Sequence, residues 1–332
     1  MKKIPKLSEG ADVSFVILSF NDAKMVMRAV ESIRRLQTRY AYDIFVVDNA
    51  SKDRTADRVE RECKKVNVIR LPKNIGTAAY DAAMKQSRAK YIYFTGCDIE
   101  VKEDMLDKLI GVLEEDDSVA QAAPKYLSLH DKKSIDLGGT WLSRSFYSGT
   151  FKDNALGEKT QEIPYIGTGL LRRDFINKWG YLFDNDYFFY GEDVDLGLRI
   201  RLEGMKVMYV PDSIVYHAGS LSRSIHRPAK LTYLMERNLL RTLFTSLFWW
   251  NILLFLPYVL IMRIVAMVKD ILTLRFTNAA ARLGAILWIF LHPGKVWGKR
   301  SVVQKTRKVS DANILGHFSE KHMWKSFFRW LT

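Results

Sequence analysis

Apolar residues in the first two hundred positions come in short continuous runs, separated by stretches of helical period. Val13–Leu18, Asp43–Asp48, Asn67–Leu71 and Tyr91–Thr95 have the length and the β-branched or aromatic content of strands buried on both faces. Between the first two, Met25, Ala29, Ile33 and Leu36 recur at the spacing of one helix face, predicting a helix over about Ala23–Leu36. Thr55–Lys65, Thr77–Ser87 and Val101–Glu114 are the next predicted helices. Strands alternating with helices of about 10–15 residues predict an α/β fold, with a mostly parallel central sheet and helices on both faces. Ligands of such sheets bind beyond the carboxyl ends of the strands. Asp48 and Asp98 both fall there, so one cleft could hold both.

From about Tyr126 to Tyr165 the pattern weakens into short strands and loops. It returns at Ile166–Arg172, at Phe188–Asp195 with a helix running to about Glu203, and at the strand Lys206–Val210. These boundaries predict a catalytic-size unit over residues 1–222, with halves at about 11–125 and 126–222, followed by a basic, apolar helical region over 223–332.

Charge sharpens that division. The 332 residues carry 51 Lys+Arg against 37 Asp+Glu, a net charge of +14. Residues 1–222 hold 33 of each, leaving 18 of the 51 basic and 4 of the 37 acidic residues for the last third. That third is also the most apolar. Leu243–Met262 runs 20 residues without a charge, which is about the length that spans a bilayer. A second run, Leu283–Leu291, has only nine. A single span would place the basic tail outside, against the positive-inside tendency. Two interfacial or re-entrant helices on an anionic membrane surface satisfy both constraints better than a two-span hairpin. Nucleic acid is not expected as a partner, because the basic region lacks the aromatic interleaving and motifs of its readers. The polar amino terminus has no secretory pattern, so the expected location is the cytoplasmic face of the cell membrane. Cys63 and Cys97 are too few for a disulfide framework and suit a reducing compartment.

The chemistry-bearing segments, in order, are Val13–Asn21, Val47–Asp53, Asn74-Ile-Gly-Thr-Ala-Ala79, Thr95-Gly-Cys-Asp98, Gly167-Thr-Gly169, Tyr190–Arg199 and Val210–His217. Three carboxylates within four residues, Glu192, Asp193 and Asp195, exceed what one helix cap needs. A Ser19-Phe-Asn-Asp22 turn after the first strand lacks the Gly-x-Gly-x-x-Gly fingerprint and disfavours a dinucleotide dehydrogenase.

Order and spacing together resemble a family 2 glycosyltransferase of the GT-A fold, in its rhamnosyltransferase-like branch of surface polysaccharide assembly. The resemblance implies a Rossmann-like GT-A unit and an inverting transfer from a nucleotide-diphosphate sugar. The implied acceptor is a hydroxyl of a glycan, lipid-linked if the enzyme sits on a membrane. It makes Asp193 the general base with Glu192 in support. It makes Asp98 and His217 ligands of a divalent metal, Mg²⁺ or Mn²⁺. Ser19, Phe20, Asn21, Asp48, Asn74, Gly76, Gly167 and Thr168 become the expected nucleotide-sugar contacts. Asn74 and Gly76 are expected to open a helix whose N–H groups favour the diphosphate. Relatives often carry Asp-x-Asp where this chain has Gly96-Cys-Asp98, so one carboxylate is lost. Tyr233-Leu-Met-Glu-Arg-Asn238 resembles a segment of membrane-associated relatives. Two alternatives stand beside this reading: a polyprenyl-phosphate sugar synthase, which needs no base for its anionic acceptor, and a non-catalytic scaffold of a glycan assembly complex.

Overall fold

The computed structural model describes residues 10–151, 153–219 and 228–331, with side chains through residue 325. The first half alternates as expected: β1 (Val13–Ser19), α1 (Ala23–Arg34), β2 (Tyr42–Asp48), α2 (Thr55–Glu62) and β3 (Asn67–Arg70). The predicted helix over Thr77–Ser87 is instead a 3-10 helix, Gly76–Tyr80, running into the single turn α3 (Asp81–Met84). Next come β4 (Tyr91–Gly96), β5 (Ile99–Val101), α4 (Met105–Glu115) and the long β6 (Val119–Ser128). The weakly patterned region holds four short strands, β7 (Ile135–Leu137), β8 (Thr140–Leu142), β9 (Ser148–Thr150) and β10 (Gln161–Glu162). Then follow β11 (Gly169–Arg172), α5 (Arg173–Trp179), α6 (Glu192–Leu202) and β12 (Lys206–His217).

The main sheet has the strand order β10-β12-β6-β11-β4-β1-β2-β3. Six of those strands run one way, and only β11 and β10 oppose them. The sheet is therefore mostly parallel. α1, α2 and α4 cover one face through Val26, Val30, Val59 and Leu109. The 3-10 turn, α3, α5 and α6 cover the other through Ala79, Ala83, Phe175 and Leu198. Register brings the carboxyl ends of three strands level, with Ser19 opposite Asp48 and Leu18 opposite Gly96. β12 reaches further than the apolar run Lys206–Val210, because a bulge between Val210 and Ile214 absorbs Pro211-Asp-Ser213 and pairing with β6 resumes up to His217.

Six helices follow: α7 (Ala229–Ser246), α8 (Trp249–Leu272), α9 (Phe276–Leu291), α10 (Pro293–Thr306), α11 (Asp311–Leu315) and α12 (Glu320–Leu331). The uncharged run Leu243–Met262 is not one helix. Leu247 and Phe248 are extended and divide it, so its start belongs to α7, while α8 continues past Arg263, Lys269 and Asp270. Leu239, Leu243, Ile252, Val259, Ile289, Val296 and Ile314 join the same apolar cluster that covers the sheet.

Charge also binds these helices to the sheet unit. Glu236 of α7 is fully buried, 3.1 Å from the Arg263 guanidinium of α8 and paired with Arg282 of α9, which in turn meets Asp270 at 2.8 Å. Arg263 also donates to the Ser145 carbonyl at 2.8 Å, and the Tyr147 hydroxyl donates to Glu236. The opposite side of α8 is an apolar stripe, led by Trp250 (81% exposed), Leu254 (68%) and Leu272 (78%), with Leu253, Ile261, Ile264 and Val268 between them. Leu283, Leu287, Phe290 and Leu291 extend it along α9.

Candidate active site

The acidic end of β4 meets the end of β12. Asp98 Oδ2 lies 3.0 Å from His217 Nε2, and His217 Nδ1 is hydrogen-bonded to the buried Asp136 of β7. Burial alone would lower the His217 imidazole, but its bonds to Asp136 and Asp98 outweigh that and push it up to about 9. Burial likewise works to raise the Asp98 carboxyl, and His217 outweighs it, holding Asp98 below the usual carboxylate range. Gly96 leaves space for this carboxylate: a Cβ at Gly96 would lie 2.8 Å from Asp98 Oδ1. Among the described residues no cluster of three or more His, Cys, Asp or Glu forms. Asp98 is the carboxylate that would hold Mg²⁺ or Mn²⁺ together with phosphate oxygens and water, and His217 Nε2 would join it only on giving up its proton. Burial and then the Asp98 charge push the neighbouring Cys97 thiol up to about 12.

Asp136 was not among the expected residues. It lies in the weakly patterned region, 81 positions from His217, and only the fold joins them. Its place is that of the carboxylate that orients a ligating histidine through the other ring nitrogen.

Glu192 and Asp193 open α6 behind a left-handed Gly191. Asp195 is drawn away into a buried pair with Arg199 at 2.7 Å, which separates it from the other two carboxylates. Glu192 is buried and its Oε2 has no hydrogen-bond partner among the described residues. Burial, and next the neighbouring Asp193 charge, push its carboxyl well above the ordinary range. Asp193 is half-buried and is also raised by burial, though less far, with backbone N–H bonds including Val194 at 2.9 Å opposing the shift. Backbone N–H bonds favour the charged form of Asp193, whereas Glu192 Oε2 has no such partner among the described residues.

The two acidic centres share one wall. A Cβ at Gly167 would lie 3.1 Å from Asp193 Cβ. The adjoining Thr168 hydroxyl donates to Phe94 O at 2.9 Å and sits 2.8 Å from the Tyr126 hydroxyl. The Tyr126 ring meets the His217 ring edge-on at 6.2 Å between centroids. Gly167 and Thr168 thus link Asp193 to the Asp98–His217 pair through a continuous set of contacts.

On the donor side, Asp48 is buried with Oδ1 unpartnered among the described residues. A buried acceptor with no partner at a strand end suits a ligand N–H or hydroxyl. Phe20 stands beside it, 48% exposed. Ser19 is buried and its hydroxyl faces Val47 O, while Asn21 accepts from the Lys52 N–H at 2.7 Å and shapes the loop after β2. The anion-binding reason for Asn74 and Gly76 is not met. The N–H groups of Ile75, Gly76 and Thr77 are already taken by Asn49 Oδ1, Asn74 Oδ1 and Phe188 O. Gly76 instead permits a close approach: with φ +69°, its Cβ would lie 1.9 Å from Phe188 O.

The sequence model described as "Glycosyl transferase family 2" matches residues 14–179, half of the chain. The chain belongs to glycosyl transferase family 2. Succinoglycan biosynthesis protein ExoO of Rhizobium meliloti is 31% identical to this family member over 108 residues, 32% of this chain and 31% of that protein. The uncharacterized protein y4gI of Sinorhizobium fredii is 25% identical over 231 residues, 65% of this chain but 25% of its own length. The structure of GalNAc-T7 with UDP, GalNAc and Mn²⁺ superposes with a TM-score of 0.59 at 19% identity, covering 71% of this chain and 48% of that one. At that identity the likeness shows the GT-A fold of this family 2 chain and no more.

Proposed function

We propose that this chain is a membrane-associated, metal-dependent, inverting glycosyltransferase. It moves a sugar from a nucleotide-diphosphate donor to a hydroxyl of a lipid-linked glycan. The observation that carries the reading is the pairing of Asp98–His217 with the raised carboxyl of Asp193 along one wall. Asp48 and Phe20 hold the donor nucleotide. Asp98 and His217 hold the divalent cation, with Asp136 fixing the imidazole, and GalNAc-T7 was likewise solved with Mn²⁺. When bound, the cation offsets the negative charge that grows on the departing diphosphate. Asp193 accepts the proton of the acceptor hydroxyl as the new oxygen–carbon bond forms and the anomeric carbon–diphosphate oxygen bond breaks. A positioned base contributes on the order of 10²–10⁴-fold. No side chain is needed as a nucleophile, so the displacement is single and inverting.

Membrane association rests on the apolar stripe and on charge. All four acidic residues of the last third are engaged: Glu236, Asp270 and Asp311 in buried ion pairs, and Glu320 with Tyr258 and the Arg144 N–H. Lys295, Lys305, Lys308, Lys321 and Lys325 remain exposed. An apolar surface on a helical region with exposed lysines, whose four carboxylates are all engaged, suits an anionic lipid surface at the cytoplasmic leaflet, where activated sugars are supplied.

A donor screen tests the function: UDP-, GDP- and dTDP-sugars, Mn²⁺ or Mg²⁺ against chelator, acceptor lipid extract, and nucleoside diphosphate release. Metal-dependent release from one donor, lost in Asp98→Ala, is the expected result. Silence across the panel with acceptor lipid present would overturn it in favour of a scaffold.

A further inference from the structure

The loop ahead of the two α6 carboxylates is held in an uncommon backbone. Phe188 (φ 63°), Tyr190 (φ 65°) and Gly191 (φ 82°) are all left-handed. Two of those three are bulky aromatic residues, for which such a conformation persists only where surroundings impose it. The alternating backbone turns Phe188 O toward the 3-10 helix, where the Thr77 N–H donates to it at 2.9 Å. It turns the carbonyls of Tyr187, Phe189 and Tyr190 the other way, toward α7.

All three converge on one side chain. Asn238 Nδ2 lies 3.0 Å from Tyr187 O, 3.2 Å from Phe189 O and 2.5 Å from Tyr190 O. Asn238 is fully buried. Its Oδ1 accepts from Arg237 Nε at 3.0 Å and Nη2 at 2.7 Å. A guanidinium only donates and carbonyls only accept, so the chemistry leaves one orientation for the amide. The fit is close, since a Cβ at Gly191 would lie 3.0 Å from Asn238 Cβ. Arg237 Nη2 adds a bond of 2.6 Å to Asp186 O.

We propose that Asn238 is a positioning residue: it clamps the 187–190 loop and so sets where Asp193 stands in the cleft. The inference rests on Asp193 being the base. It assigns a catalytic consequence to the helix that leads into the apolar region, which the base assignment alone does not require. Asn238→Asp keeps the shape but presents an acceptor to three acceptors, so the clamp opens without a cavity. Asn238→Ala removes it outright.

The test uses the full chain and compares both variants with the parent and with Asp193→Asn. Amide hydrogen exchange over residues 187–195 should quicken at least about tenfold in either Asn238 variant, while β1 to β4 stay unchanged. Turnover with the donor found by the screen should fall about 10²-fold, the scale of a misplaced catalytic group, with the donor KM within about threefold. In an Asp193→Asn background the same Asn238 substitution should cost no further turnover, because the base it positions is gone. Unchanged exchange, a loss confined to KM, or full multiplication of the two losses would each overturn the proposal. If Asn238→Ala does not fold, Asn238→Asp carries the same readings. Near-normal turnover of Asp193→Asn would remove the base reading instead, and the exchange measurement would still decide whether Asn238 holds the loop.

Discussion

Glu236 is the anion on which the junction between α7, α8 and α9 turns, and Glu236→Gln removes its charge at constant shape. Arg263, fully buried, then loses the carboxylate 3.1 Å away, and Arg282 is left with Asp270. Removing one partner of a buried ion pair costs about 3–5 kcal/mol, because the other charge stays uncompensated. Folded domains hold only about 5–15 kcal/mol in total. At about 2–4 °C per kcal/mol for chains of 150–250 residues, the melting temperature should fall by about 6–20 °C. Adding Arg263→Met removes the orphaned cation and should recover most of that loss. The assay is thermal unfolding of the detergent-purified chain, followed by near-ultraviolet circular dichroism at one detergent concentration. A shift below about 2 °C in the single variant, or a double variant no better than the single, would refute the reasoning. Either result would mean that α8 is not docked on the sheet unit through these charges.

Four further outcomes follow from the site and its surface. Asp193→Asn should lower turnover at least about a hundredfold. In the parent enzyme, turnover should fall with falling pH through a midpoint above the ordinary carboxylate value of about 4, since a base must be unprotonated to act and burial raises this one. Glu192→Gln should flatten the pH dependence of stability: the folded parent keeps a proton that the unfolded chain releases near pH 4, so its stability declines as pH rises toward the elevated folded value. Melting temperatures across that range in parent and variant check the slope. Trp250→Asp with Leu254→Asp should abolish co-sedimentation with phosphatidylglycerol vesicles while leaving the melting temperature within a few degrees, because both residues are exposed.

The strands of the first half were readable because each is a continuous apolar run closed by a polar residue, and the acids at their ends fell where the register later aligned them. The 3-10 turn at Gly76 was not, since what shortens the helix is the carbonyl of Phe188, 111 positions away in the bond to Thr77. Strands β7 to β10 are two or three residues long, below the length at which period can be seen. Asp136 and Asn238 were hidden for the same reason as Gly76, because their roles are long-range contacts. The strand-end place of Asp98 and the clustering of Asp193 with Glu192 and Asp195 were visible in local order, while the roles given to them came from the resemblance. The apolar carboxyl-terminal run was visible as hydropathy, but its division at Leu247-Phe248 was not, as neither residue is a helix breaker.

The buried charges that fasten α8 also remove a degree of freedom that many peripheral enzymes keep. A tether of flexible chain would let a catalytic unit tumble above the lipid at a range of heights. Here the exposed stripe and the cleft belong to one packed body, joined by Glu236, Arg263 and the Ser145 carbonyl. A bilayer that takes up the stripe therefore fixes the tilt of the sheet and the elevation of Asp193 together. Under the proposed function, reach above the membrane would become a selection rule, with an acceptor chosen by how far its hydroxyl stands from the lipid as much as by its sugar.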